Sequence, residues 1–211
     1  MKESCYKGFL LLIIIVLSFQ VHAQQDNICG PLKGAHFGPF DYLDRVQLKD
    51  KLDMVEAYHF APEIEKLKAG TQRVAADLNY TLQAWPNHHR ALASLAKLAI
   101  REKTTSIPGL KYNVECYFDR AFRWRSNDST VRSIYGSYLS KVGRSSSAIE
   151  QLEIAVRIKP DNATAHYNLG LMYFDKANYD KARFHAERAY EFDFPLPGLR
   201  NKLIRIGKWK K

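Results

Sequence analysis

Few residues in this chain of 211 have the types and spacing that chemistry needs. His88-His89, just after Pro86-Asn87, is the closest thing to a reactive pair. Adjacent side chains at a helix start diverge, so two such histidines rarely hold one ion, and a turn between helices explains them more simply. His59 stands alone beside Phe60, as structural histidines commonly do. The chain has no CxxC, no zinc-type Cys/His spacing, no Ser/His/Asp order, no nucleophile elbow, no phosphate loop and no zincin helix. The expectation is a chain without catalytic residues, metal ligands or cofactor. Three glycosylation triplets begin at Asn79, Asn127 and Asn162. In a bacterial product they carry no meaning, and Asn162 has a sufficient role in a turn.

Sulfur offers one further possibility. Cys5 lies in a leader, which leaves Cys29 and Cys116 as an even pair. In an oxidising compartment such a pair reads as a disulfide, closing a long loop and stabilising the fold by roughly 4 kcal/mol in the chain-entropy model. The alternative is a buried thiol at Cys116, within an apolar helix, and a loose one at Cys29. Sequence cannot choose, because bridging depends on how close the two Cα atoms come.

The leader is the segment 1–23. Lys2 and Lys7 give a positive start, Gly8 to Phe19 is apolar, and Val21-His22-Ala23 suits a signal peptidase, with cleavage before Gln24. An apolar run this short falls below the roughly 20 residues that cross a hydrocarbon core, so an uncleaved anchor is the weaker reading. No cysteine follows Ala23 directly, so no acyl anchor is expected there. The formal charge is +10. For an exported protein that points away from nucleic acid and toward phospholipid headgroups, envelope polysaccharides or acidic proteins, unless it serves only solubility.

The elements that would position any site follow a period. Ala163 to Leu196 is 34 residues long and reads as two amphipathic helices. Leu169, Gly170 and Tyr173 share one face of the first helix, and Ala182, Ala186 and Ala189 share one face of the second. One period earlier, in 129–162, Tyr135-Gly136, Ala148 and Ala155 recur at the same offsets, and Pro160 closes the unit. Gly143 marks the turn between its helices, and Ser145 suits a cap for the second helix. Residues 89–128 form a longer unit, with Leu92, Leu95, Ala96 and Ala99 striping its first helix and Ala121 in its second. Its excess length sits in an inter-helix loop at 104–111, marked by Ser106, Pro108 and Gly109.

Residues 55–88 read as a degenerate unit, with a first helix near Glu63 to Lys68 and a second over Thr71 to Ala84. Residues 24–54 lack helical period. They form an irregular arm anchored by Phe37, Phe40 and Tyr42, although Gly38 to Tyr42 could also be a ligand loop. Residues 197–211 supply a capping helix with Leu199, Leu203 and Ile206, then a basic tail ending in Trp209, Lys210 and Lys211.

The two 34-residue units resemble the tetratricopeptide repeat family closely, and the unit from His89 more loosely. The whole chain after the leader is also similar to a group of exported bacterial repeat proteins. The phrases that carry this likeness are Cys29-Gly30-Pro31, Gly38 to Tyr42, Pro86 to Leu92, Val114 to Ala121 and Phe194 to Leu203. No biochemical activity is implied by it. The family resemblance implies an all-α, right-handed solenoid that binds proteins without catalysis. It also implies that the second, fifth, ninth and twelfth positions of each first helix line a concave groove. Here these are Arg90, Ala93, Lys97 and Ile100; Thr130, Ser133, Ser137 and Ser140; and Thr164, Tyr167, Leu171 and Phe174. Some family members clamp a C-terminal carboxylate. Lys97 and Asn168 would suit that, but Ala93, Ile134 and Thr164 do not, and no clamp is expected.

The expected partner is therefore another envelope or secreted protein, offering an extended or helical peptide with an apolar segment to Tyr167, Leu171 and Phe174. The arm could instead fill the groove itself. The alternative function is an envelope-surface binder, holding anionic lipid or polysaccharide through the basic face and C-terminal tail. The expected location is the bacterial periplasm. Nothing in the sequence specifies an oligomeric state.

Overall fold

The computed structural model describes residues 28–32 and 37–209. The leader expected over 1–23 lies outside the described residues, as do Gln24, Lys210 and Lys211. A single 3-10 turn at Tyr42–Asp44 and ten α-helices account for the regular structure among the described residues: α1 (Lys49–His59), α2 (Pro62–Glu65), α3 (Thr71–Ala84), α4 (His89–Glu102), α5 (Val114–Trp124), α6 (Ser129–Lys141), α7 (Ser145–Ile158), α8 (Ala163–Asp175), α9 (Tyr179–Glu191) and α10 (Gly198–Arg205). None of them is long and apolar enough to cross a membrane. The fold is an all-α solenoid.

Helix starts explain why the chain breaks where it does. Asn113, Asp128, Asn162 and Asn178 cap α5, α6, α8 and α9, each side chain accepting a backbone N–H of the first turn. His88 caps α4 in the same way, through Nδ1 and the Ala91 N–H at 3.1 Å. Ser145 behaves differently from expectation: it is the first helical residue of α7, Arg144 takes the cap position, and no side chain caps that helix.

Small residues set how closely the helices approach. Gly136 faces α7 and Gly170 faces α9. A Cβ at Gly136 would lie 3.2 Å from the Ala148 carbonyl oxygen, and one at Gly170 would lie 3.2 Å from that of Ala182. Ala148, Ala155, Ala182, Ala186 and Ala189 are fully buried, so each hairpin closes on a seam of small side chains while Leu139, Leu152 and Leu169 fill the layers around it. The pair α4–α5 is looser. Its extended loop displaces α5, and α4 packs more against α6 than against its own partner. At the far end α10 buries Leu199 and Leu203 on α8 and α9, covering the last apolar face.

The N-terminal region departs from the expected layout. The irregular arm does not extend to Met54, because α1 begins at Lys49. Pro62–Glu65 is one short turn and not the first helix of a unit. The reason is burial at i, i+3: Leu52 and Val55 sit in a second core with Tyr42, Ala84 and Trp85, so this segment coils to keep both on one side. The Gly38 to Tyr42 run is a packed arm, not a free loop. Phe40 donates its N–H to the Ala84 carbonyl at 2.8 Å, and the Phe40 and Tyr42 rings lie against Trp85.

Candidate partner-binding groove

The first helices of the three clear units, α4, α6 and α8, line one face, and the residues expected there divide into three groups. The first group is engaged within the fold. Arg90 is held in a fork by Glu65, with contacts of 2.9 and 2.6 Å, and also donates to Glu56 at 3.1 Å. The Glu65 hydrogen bond raises the guanidinium's already high pKa and pulls the Glu65 carboxyl below its usual range. Arg90 is therefore neutralised by acids from α1 and α2.

Tyr167 corrects the expectation most plainly. It is buried, its ring stacked on Phe194 at 4.2 Å, and its hydroxyl lies beside Gly198. The segment between α9 and α10 folds back over it because Phe194 needs an apolar neighbour and finds this ring. Ser133 is also buried. It donates to the Ser129 carbonyl at 3.0 Å and accepts from Asn162 Nδ2 at 3.1 Å.

The second group is half-buried and partly used. Asn168 Nδ2 donates to the Ser137 hydroxyl at 2.8 Å, tying α8 to α6. Leu171 packs on the main core, while Phe174 meets Tyr179 and the Lys202 ammonium. The third group is open: Lys97, Thr130 and Thr164 are exposed. Between α6 and α8 a dent of about 140 Å3 is lined by Thr130, Ser133, Ile134, Ser137, Asn162 and Thr164. The accessible groove is thus hydroxyl-rich in its middle, and its aromatic end is shielded. The described residues of the N-terminal arm from Phe37 onward pack instead on Trp85 and the turn before α4.

The histidine pair has structural work. The cap role leaves His88 Nδ1 unprotonated, so Nε2 carries the hydrogen and donates to Glu56 at 2.9 Å. Burial lowers the His88 pKa, which keeps the ring neutral. His89 turns the other way and donates to Asp128 at 2.8 Å. Asn87 completes this knot, accepting the Tyr42 N–H at 2.9 Å and donating to Asp41 and Asp128 at 2.8 and 3.1 Å. Burial pushes Asp128 upward, but the His89 hydrogen bond and nearby amide donors outweigh it and the carboxyl lies below its usual range. Among the described residues no group of three or more His, Cys, Asp or Glu could hold a metal ion.

Cys29 and Cys116 form a disulfide, with Cα atoms 4.9 Å apart. Arg120 reinforces the link by donating to the Cys29 and Pro31 carbonyls, and Arg123 donates to the Gly30 carbonyl at 3.0 Å. A second histidine pair, His166 and His185, joins α8 to α9 and went unnoticed in the sequence. His166 Nε2 donates to the Pro160 carbonyl at 3.0 Å, so its Nδ1 must accept from His185 Nδ1 at 3.0 Å. Burial and the neighbouring His166 push His185 down to about 4. Nothing in the spacing of these two residues foretells the pairing.

A family model described as TPR repeat matches residues 141–176, and one described as tetratricopeptide repeat matches 163–194. No curated protein matches the chain. Among solved structures, the fold is similar to that of pilF from Pseudomonas aeruginosa, with a TM-score of 0.55 and 18% identity over 78% of this chain and 71% of that one. It is also similar to YrrB, described as a TPR protein with an unusual peptide-binding site (TM-score 0.49, 19% identity, 77% of this chain and 86% of that one). MamA is a further match (TM-score 0.43, 19% identity, 81% of this chain and 99% of that one).

Proposed function

We propose, from the premise that this chain is a tetratricopeptide-repeat protein, that it is a non-catalytic scaffold holding another protein along the groove of α4, α6 and α8. The observation that carries this reading is the exposed pair Thr130 and Thr164 on the rim of a hydroxyl-lined dent, with Lys97 also exposed on α4. Such a surface suits the backbone and small polar side chains of an extended segment, whose amides can bond hydroxyls. The apolar segment expected at Tyr167 has no room, because Phe194 already covers that ring.

The protein acts outside the cytoplasm. The leader read over 1–23 supports this, as does a disulfide of the kind that persists in oxidising compartments. Surface binding through the tail has less to support it, since Arg200 stacks on Tyr190 and Trp209 packs edge-on against the same ring.

A photo-crosslinking residue placed at Thr130 or Thr164 should capture one partner in cells, while the same residue at Glu187, exposed on α9, should not. Equal capture at all three positions would remove the groove from the model. The N-terminus of the recovered scaffold chain tests its location as well, because an exported chain should begin at Gln24.

A further inference from the structure

Below the exposed pair the chemistry changes. The C-terminal ends of α4 and α6 flank a cleft of about 760 Å3, which the long loop after α4 helps to enclose. Ile100 and Val142 present aliphatic surface inside it and are 37% and 42% exposed. Lys103, Lys141 and Arg144 surround that surface with positive charge. Among the described residues Glu115 is the only acid in the lining, and it is already committed, accepting from Arg144 at 2.7 Å and from the Tyr135 hydroxyl at 3.0 Å. Lys103 and Lys141 have no carboxylate within ion-pair distance among the described residues. Lys103 also caps α4 in the left-handed conformation, at φ 55°, which fixes where its side chain leaves the backbone.

A recess of this size lies within the range of ligand sites, and it pairs uncovered aliphatic surface with unbalanced cations. We propose that it receives an internal acidic–apolar segment of the scaffold's partner. A Glu or Asp side chain of that segment meets Lys103 and Lys141, and a neighbouring Leu-sized side chain covers Ile100 and Val142. The proposal rests on the scaffold reading and names the partner's chemistry. Lysine recruits the carboxylate as a point charge, and the aliphatic contact supplies affinity that salt does not screen. A terminal carboxylate is not required.

The test uses the full exported chain, its disulfide intact and its Ile, Leu and Val methyl groups labelled for NMR. The probe is a short peptide of alternating Glu and Leu, acetylated and amidated so that no terminal charge contributes. Its addition should shift the Ile100 and Val142 methyl signals. Lys103→Gln combined with Lys141→Gln should weaken binding about tenfold without changing the melting temperature, as should replacing each Glu of the peptide by Gln. Shifts confined to Ile134 and Leu171 would place the peptide in the groove above, overturning the cleft proposal while leaving the scaffold intact. No shift at millimolar peptide would overturn the cleft proposal too, and the crosslinking experiment would still decide the scaffold on its own. Binding of phosphatidylglycerol vesicles, with none of the peptide, would assign the cations to a lipid surface and reject the protein partner.

Discussion

Tyr167 and Lys97 occupy equivalent kinds of position on α8 and α4, yet their surroundings give them opposite roles. Tyr167 is 9% exposed and stacked on Phe194, whereas Lys97 points to solvent. Truncating a buried aromatic forfeits both its transfer free energy and its packing, so Tyr167→Ala should cost about 3 kcal/mol of unfolding free energy. Lys97→Ala should stay within about 0.5 kcal/mol, as exposed substitutions generally do. Urea titrations of both variants check this; an unchanged midpoint for Tyr167→Ala would mean that the ring is not covered in solution. At this scale the sequence was a partial guide. The register of the repeats placed both residues on the inward face, but the fold-back of Phe194 over one of them lay beyond what periodicity encodes.

At the scale of elements, the hairpin of α8 and α9 carries a proton-sensitive contact. The His166–His185 bond needs one bare Nδ1, and a second proton would set two N–H groups against each other. Burial lowers the pKa of His88, His166 and His185, the last to about 4. The sign follows from linkage. A histidine with a depressed folded pKa binds its proton more readily when unfolded, so its stability is present in full above the unfolded value of 6.5 and is lost as pH falls toward the folded value. The melting temperature should fall by several degrees between about pH 7 and 4.5, before the lowered carboxyl groups of Glu56, Glu65 and Asp128 begin to protonate. Scanning calorimetry of His185→Gln should show a flatter profile over that window. A parallel profile would assign the loss elsewhere. The helices from α3 onward were legible in the sequence because their apolar stripes are local, whereas α1 was not read and the expected cap Ser145 lies inside α7. The partnership of α1 with α3 was not legible, since it depends on Leu52 and Val55 meeting Trp85.

For the whole molecule, one apolar core runs from Phe60 to Leu203, and the arm joins it through the second core and the disulfide. The bridge closes a loop with a sequence separation of 87 residues. Reduction, or Cys29→Ser with Cys116→Ser, should lower stability by about 4–5 kcal/mol on the chain-entropy account, with less lost if the arginines keep the arm in place. Denaturant curves of oxidised and reduced protein measure this, and superimposable curves would mean that the bridge adds nothing to the fold. The residues themselves determined the solenoid: small side chains at 34-residue offsets, caps at the turns and a charged exterior specify helical hairpins through contacts only a few positions apart. Tertiary structure alone decided which groove residues stay open. Arg90 is claimed by Glu56 and Glu65, Tyr167 by Phe194, and Cys29 by Cys116, through contacts that the 34-residue period does not specify. Local order is written in spacing, but the pairing of distant side chains depends on the path the folded backbone takes.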